Sequence, residues 1–454
     1  MKKLTTLSVF LIAAGLQAAA QNGPLPASWQ LEDCIDYAVE HNRNVRIAQR
    51  NQHNSRLSTV EAYTAFLPHV SAGVGAQFSF GRTIESETNA YTTVSNFNNS
   101  YSLNASLPLF NSGALIQNVR IARIQEMMGL KSLEQTRDNI ALETLKAYMD
   151  VLYYRELHAY HQGKLEESRR QLHRLRKLHE LGRRSQADLT LVEAQCAADE
   201  HALLQGRSQV ESALLALRNR MSLPADTRLD AQWLTPPPVG VAESNGLENG
   251  FLEADRLFQQ AEAWMPATAN ARHTVQANRY SLRQSIGNLF PTLSLSGGLS
   301  SGYFKTLEKG EFDSFHKQFR DKLGYYVGVN MSIPIFGRLN RVYGIKRQRN
   351  RLRNAIDDYE LQRDELQRSI RQAVMDRETA ARSVGALEKQ LTADSLAYVT
   401  TARKFEEGLS GAIDLQTAAA NLLRSRASLL QSRLTYYIKR ILTDYYNGKK
   451  LYKA

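Results

Sequence analysis

Four stretches of the chain alternate apolar and polar residues at every second position: residues 70–80, 101–109, 293–303 and 325–333. This period is typical of a β-strand with two unlike faces. Ser, Gly and Asn fill one face, while the apolar face carries few charges. Each stretch has about ten residues, the length that a tilted strand needs to cross a membrane. The pattern favours membrane strands around a water-filled interior, although strands of a soluble sandwich alternate similarly.

Polar loops at 82–99 and 304–323 join these strands in pairs, and the rest of the chain is predicted to be helical. The predicted helices cover residues 31–66, 113–181, 189–221, 253–289, 337–407 and 413–446. Each half thus holds one helix of roughly 65–70 residues and two of roughly 35, counted between helix-breaking residues. Two short helices laid end to end match the long one. The result is a rod that turns at Gly182 and Gly408 and packs as a coiled coil.

The second half of the chain repeats the first. Residues 147–150, 182–189 and 203–207 recur 226 positions later, and 66–68 recur as 289–291, which is 223 positions later. The change of spacing falls between Pro68 and Pro108, because Pro108 corresponds to Pro334. A repeat of this length indicates duplication of a whole structural unit. We therefore expect one unit at 21–222, a linker rich in Pro and Gly at 223–250, and a second unit at 251–454.

The first 20 residues have the pattern of a secretory signal peptide. Lys2 and Lys3 precede a short apolar stretch at 4–16, and three alanines at 18–20 supply small residues for cleavage. A buried N-terminal helix is the alternative. No later apolar run is long enough for a membrane-spanning helix. An exported chain of this kind can still enter a membrane as a closed barrel.

Four strands are too few to close a barrel, which needs about eight, and open strand edges are not tolerated in lipid. Several chains must therefore contribute to one barrel. The geometry allows eight strands from two chains or twelve from three.

Composition adds little chemistry. The net charge of +12 is spread along helices and interleaved with acidic residues, which does not favour nucleic-acid binding. No phosphate-binding loop, nucleophile elbow or Cys-x2-Cys motif occurs, so we expect neither an enzyme nor a cofactor. His158 and His161 have a spacing that metals can use, but solvated or core histidines are favoured and no metal is expected. Cys34 and Cys196 are expected to be buried free thiols.

Several motifs occur in order and in duplicate. Leu31-Glu32-Asp33-Cys34-Ile35-Asp36-Tyr37-Ala38 with Asn42 opens the first unit. Prolines mark the helix–strand junctions at Pro68, Pro108, Pro291 and Pro334, and Gly-x5-Asp-Leu marks both helix turns. Together these features resemble the TolC family of outer-membrane efflux ducts over essentially the whole mature chain. The resemblance implies a mainly α protein, a homotrimer whose long helices form a coiled-coil tunnel and whose strands complete a 12-stranded membrane β-barrel.

In that family the helix turns form the constricted far end of the tunnel, which an inner-membrane pump and a periplasmic adaptor (membrane fusion) protein engage. The resemblance places the gate and adaptor contacts at Gly182, Arg183, Arg184, Asp188, Gly408, Asp414 and Thr417. Asp414 falls where an acidic residue often lines the constriction, and Thr417 falls at a second acidic position. Arg183 and Arg184 could pair with carboxylates or face the adaptor. Asp188 and Asp414 could instead simply cap helices, and Gly182 and Gly408 could end them.

The resulting hypothesis is an exit duct in outer-membrane lipid. It would serve a tripartite efflux or type I secretion system and passively conduct what an inner-membrane pump delivers. The alternative is a soluble periplasmic coiled-coil scaffold. The residues do not distinguish small-molecule efflux from protein secretion, because the pump selects the cargo.

Overall fold

The computed structural model describes residues 28–84, 90–224, 229–232, 247–307 and 313–453. Within them the helices are α1 (Leu31–His41), α2 (Arg43–Thr64), α3 (Ala114–Glu180), α4 (Gln186–Met221), α5 (Leu247–Trp264), α6 (Pro266–Gly287), α7 (Phe315–Asp321), α8 (Asn340–Glu406) and α9 (Ala412–Tyr446). The strands are β1 (His69–Ile84), β2 (Tyr91–Asn111), β3 (Thr292–Thr306) and β4 (Gly324–Ser332). The predicted signal peptide and most of the predicted linker lie outside the described residues, and α5 begins inside the linker at Leu247.

The helix lengths confirm the duplication. Helices α3 and α8 have 67 residues each and begin 226 positions apart, at Ala114 and Asn340. The returning helices α4 and α9 have 36 and 35 residues. None of the helices described in the structure is both long enough and apolar enough to cross a membrane.

The first helix of each half is broken, which corrects the prediction of continuous helices at 31–66 and 253–289. Asn42 is extended between α1 and α2, and its side chain accepts a 2.8 Å bond from the Asn44 amide and donates a 2.7 Å bond to the Arg220 carbonyl. Met265 is extended before Pro266, as the residue before a proline prefers. The Asn42 bond brings the end of α4 beside the start of α2, so the short helices lie end to end along α3.

Each half has its own apolar core where α3 or α8 meets the shorter helices. In the first half Leu145, Met149 and Leu152 of α3 pack with Cys34 and Leu217. In the second half the cluster combines α5, α8 and α9, with Ile370 and Val374 fully buried. These cores fix the rods at mid-length. The rods extend from there toward the sheet on one side and toward the helix turns on the other.

The four strands form one antiparallel sheet in the order β1-β2-β3-β4. Three strands are longer than the predicted ten residues, with 16, 21 and 15 residues, while β4 has nine. The predicted loop at 82–99 is therefore mostly strand. The predicted loop at 304–323 contains α7, whose Phe315 and Phe319 pack on Tyr101.

Candidate functional site

The two helix turns are built alike around a glycine in the left-handed region. Gly182 has φ +69° and Gly408 has φ +80°. The amide after each glycine bonds back into the preceding helix, Arg183 to Leu178 at 2.8 Å and Leu409 to Lys404 at 2.8 Å. A residue with a Cβ is strained in this conformation. The expected helix-ending role of both glycines is confirmed.

The acidic residue of each turn belongs to the start of the returning helix. Ser185 caps α4, and its hydroxyl accepts a 3.1 Å bond from the Asp188 amide and donates a 2.9 Å bond to the Asp188 carboxylate. Asp188 is therefore not the capping residue itself. In the other turn the Asp414 carboxylate accepts a 3.2 Å bond from the Gly411 amide. This bond is the acidic half of a capping box.

Asp414 and Thr417 are both exposed, on the first and second turns of α9. The Thr417 hydroxyl donates a 2.9 Å bond to the Ile413 carbonyl, which keeps it on the helix surface. Neither side chain contacts the other hairpin through a bond among those described.

Arg184 joins the two turns. Its guanidinium donates a 2.9 Å bond to the Phe405 carbonyl in α8 and lies 4.9 Å from the centre of the Phe405 ring. Arg184 thus binds a carbonyl and an aromatic ring of the same chain rather than a carboxylate. Arg183, its neighbour, is exposed. The sequence pointed to both arginines but not to Phe405 as a partner.

A small apolar core lies behind these turns. It combines residues of both hairpins: Leu175, Leu189, Val192, Phe405, Ala412 and Leu415. The ion pair between Arg174 in α3 and Glu406 in α8 lies beside it. The two hairpins of one chain therefore meet near their tips through apolar packing, one ion pair, the Arg184 contact and a 3.5 Å bond from the Gln416 side chain to the Leu191 carbonyl.

Above this core a groove separates the hairpins. A cavity of about 430 Å³ lies between α3, α4, α8 and α9 and is lined by Lys164, Tyr160, Tyr398 and Arg426, among others. A second cavity of about 240 Å³ shares part of this lining and reaches Arg184. Burial is the main cause that raises the pKa of Tyr160 and the pKa of Tyr398 above the usual value of a tyrosine. We call these two cavities the inter-hairpin groove.

A polar cross-link beside the groove occurs in both halves with its residues exchanged. In the first half Ser168 of the long helix donates to Asp199 of the returning helix. In the second half Ser425 of the returning helix donates to Asp394 of the long helix. At the repeat spacing of 226 positions, Asp394 corresponds to Ser168 and Ser425 corresponds to Asp199. The contact is thus duplicated while the residue types are not.

The prolines lie near the strand ends as expected. Pro68 and Pro291 directly precede β1 and β3. Pro108 lies inside β2, where the pairing with β3 shifts by one residue, and Pro334 lies two positions after the end of β4. A proline has no amide hydrogen to donate, which suits a strand end or an irregularity.

The remaining candidate groups show no binding site. The described part of the chain has no group of three or more potential metal ligands, and burial lowers the pKa of His161. Both cysteines are free. Cys34 is buried, which raises its pKa to about 12, whereas Cys196 is only partly buried, contrary to expectation.

Known proteins resemble this chain in sequence and fold. The family model "Outer membrane efflux protein" matches residues 34–221 and 257–441, one match in each half. The outer membrane efflux protein BepC of Brucella suis biovar 1 (strain 1330) is 21% identical over 324 residues, which are 71% of this chain and 66% of BepC, just under two thirds. The solved structure of CusC superposes with a TM-score of 0.75 at 15% identity, covering 94% of this chain and 93% of CusC. That of VceC from Vibrio cholerae gives 0.74 at 14%, covering 93% and 96%.

Proposed function

The chain belongs to the outer membrane efflux protein family, and we propose that copies of it assemble into one continuous exit duct. Membership confirms the resemblance that the motifs indicated and supports an efflux channel in the outer membrane. The proposed duct is a homotrimer in which four strands from each copy build a twelve-stranded barrel. The paired rods of the three copies surround a tunnel beneath it.

The observation that carries this proposal is the exposed apolar face of the sheet. Val327, Tyr325 and Val74 are 81%, 82% and 74% exposed, although each lies in a regular strand. The opposite face carries Ser, Gly and Asn. Lipid satisfies the apolar face, and a water-filled interior satisfies the polar face. A soluble scaffold offers neither.

Conduction requires no chemistry from this chain. A pump supplies the energy, and the duct supplies an enclosed aqueous path across the periplasm and the outer membrane. The small polar residues of the inner sheet face give that path a weakly adhesive wall. The cargo is therefore set by the pump that engages the duct.

The tips of the hairpins are the proposed contact with a periplasmic adaptor and, through it, an inner-membrane pump. Leu181, Leu409 and Ile413 are 70%, 74% and 68% exposed at the far end of the rods. Large apolar side chains clustered at one end of a molecule are characteristic of an interaction site. The inter-hairpin groove opens beside them. A helical segment of an adaptor could bind there along the rods.

The whole chain purified in detergent tests the proposal. We expect a long tube with three-fold symmetry in electron micrographs and a mass of three chains. In a planar bilayer the same sample should give discrete conductance steps. A stable monomer that remains dissolved after the detergent is removed would contradict the proposal.

The Arg184 contact gives a prediction about gating. We propose that the hairpins of one chain separate when the duct opens, so the bond to the Phe405 carbonyl stabilises the closed form. A hydrogen bond from a charged group contributes about 1.5–3 kcal/mol, which corresponds to about tenfold or more in an equilibrium. Arg184→Ala should therefore raise the open probability of single channels in a planar bilayer by about tenfold.

Arg183→Ala is the matched control, because it removes the same charge from the neighbouring residue, whose side chain is exposed. It should leave the open probability at the parent value. If both variants raise it equally, loss of positive charge is the cause and the Arg184 contact does not hold the gate. Asp414 and Thr417 remain predicted lining residues of the same constriction.

A further inference from the structure

Both outer strands of the sheet have an edge that none of the strands described in the structure covers. The sheet order places β1 at one edge and β4 at the other. Unpaired backbone groups are not tolerated in lipid. In the proposed duct, β4 must therefore pair with β1 of a neighbouring copy. The register of that pairing decides which residues meet across the interface.

The internal repeat predicts registers correctly inside the chain. Moving a β1 residue forward by 223 positions and its β2 partner by 226 converts the pair His69–Ser106 into Thr292–Ser332, which is an observed pair of β3 and β4. The pair Gly73–Ser102 likewise becomes the observed pair Ser296–Gly328. The two halves therefore share one sheet geometry and not only one sequence pattern.

The same shift can be applied to β2 and β3. Moving Tyr101 forward by 226 and its partner Ser301 back by 223 gives Val327 and Phe78. We propose that β4 pairs with β1 of a second copy in this register, with Val327 opposite Phe78, Met331 opposite Val74 and Gly328 opposite Gln77. This inference rests on the proposed assembly and adds the residues that meet in it.

The proposed register brings like faces together. Val327 and Met331 are 81% and 61% exposed on the apolar face of β4, and Phe78 and Val74 are 57% and 74% exposed on that of β1. A register displaced by one residue would place these side chains opposite polar ones, because successive residues point to opposite faces. The apolar band then continues from one copy to the next.

The backbone groups also agree. The Phe304 amide and carbonyl point away from β2, toward the Gln318 side chain, while the Leu307 amide points to β2. Because these directions alternate along a strand, even-numbered residues of β3 bond to β4. The odd-numbered residues of β4 therefore direct their backbone groups to the free edge. The same alternation across β2 leaves the backbone groups of the even-numbered residues of β1 at the other free edge. The proposed register pairs these residues with the odd-numbered residues of β4.

The segment after β4 gains a partner in this arrangement. Residues 333–337 correspond to Leu107-Pro108-Leu109-Phe110-Asn111, which lie in β2. In the single chain Ile335 and Phe336 are 94% and 78% exposed and outside any strand. The following turns already match, since Ser112 and Gly113 have positive φ and so do Arg338 and Leu339. The neighbouring β1 supplies the missing strand partner for residues 333–337.

Cysteine pairs on the water-facing side test the register. Gln77 and Gly328 should form a non-hydrogen-bonded pair with Cα atoms about 4.5 Å apart, and a Cβ at Gly328 meets open space. In a Cys196→Ser background we expect Gln77→Cys with Gly328→Cys to give disulfide-linked trimers on oxidation. Ser79→Cys with Gly328→Cys is the control, displaced by two residues or about 7 Å. Its Cα separation of about 8 Å exceeds the range of a disulfide.

The outcomes separate this register from the proposed function. Linked trimers with the pair at 77 and 328, but not with the pair at 79 and 328, support the register. If the background protein forms trimers but only the displaced pair links, or neither does, the register is overturned while the duct stands. If the background protein forms no trimer at all, both are overturned.

Discussion

Val329→Pro should prevent assembly of the duct, with the yield of trimer falling by at least about tenfold. Val329 is 60% exposed, lies in the middle of β4 and directs its amide to the free edge. Proline removes that amide hydrogen and leaves a carbonyl of the neighbouring β1 unsatisfied in lipid, at a cost of several kcal/mol. Closure repeats the defect at each interface between copies. The total cost to assembly is therefore well above 1.4 kcal/mol, the free energy of a tenfold change in an equilibrium.

The chain itself should still fold, because the bonds from β4 to β3 come from the alternate residues. Val329→Thr is the matched control, since it keeps the amide, the branched shape and the strand preference. The measurement is the fraction of trimer by light scattering in detergent, with the helical circular dichroism signal as a check on the rods. A normal yield of trimer from the proline variant would mean that this edge of β4 remains open in the assembly.

The sequence predicted the long-range plan because that plan depends on periodicity and length. The alternation of residues 70–80 and 325–333 placed the strands. The distance between helix-breaking residues gave the observed lengths of the long helices α3 and α8 and of the returning helices α4 and α9. Both signals extend over many residues, so single exceptions do not obscure them.

Local departures were not predictable in the same way. The break at Asn42 depends on a bond to Arg220, which is 178 residues away. Helix α7 forms on residues aligned with the outer part of β2, and it depends on Phe315 and Phe319 packing on the sheet and on Gln318 bonding to Phe304. Tertiary contacts decide such elements, and a period of 2 or 3.6 does not reveal them.

The candidate site likewise has residues whose role the sequence predicted and contacts that it did not predict. Gly182 and Gly408 were predictable because the left-handed conformation restricts the residue type. The partner of Arg184 was not predictable. The equivalent residue in the second half is Ser410, so the repeat shows no matching contact. The Arg184 contact therefore joins the two hairpins of one chain, and in the proposed duct Ser410 cannot make the same contact with the next copy. The proposed duct would therefore have two kinds of contact between neighbouring hairpins, one within a chain and one between chains.

The exchanged Ser–Asp cross-links differ in charge. Asp199 is 3% exposed and accepts bonds of 2.8 Å from both Lys164 and Gln195. The carboxylate of the second cross-link, Asp394, faces a neutral residue. Gln390 stands at the position that corresponds to Lys164 and donates a 3.4 Å bond to Asp394. The first cross-link is thus a largely buried ion pair, and the second is a neutral donor network around one carboxylate.

Asp199→Ala should consequently destabilise the rods more than Asp394→Ala. Removing one partner of a buried ion pair costs about 3–5 kcal/mol because the other charge stays buried, and the 23% exposure of the Lys164 side chain favours the lower end. Loss of the bonds to the partly buried Asp394 carboxylate costs about 1.5–3 kcal/mol. The midpoint of thermal unfolding, followed by helical circular dichroism at one fixed heating rate, should rank the two variants in this order.

A three-residue exchange decides whether the ion pair is the cause. Lys164→Gln, Ser168→Asp and Asp199→Ser together give the first half the arrangement that the second half uses. The triple variant should recover most of the midpoint lost in Asp199→Ala, because no buried ammonium remains and the new carboxylate keeps a serine donor. If the triple variant is as unstable as Asp199→Ala, the two halves do not share one interchangeable cross-link. The cost at Asp199 then comes from its local packing.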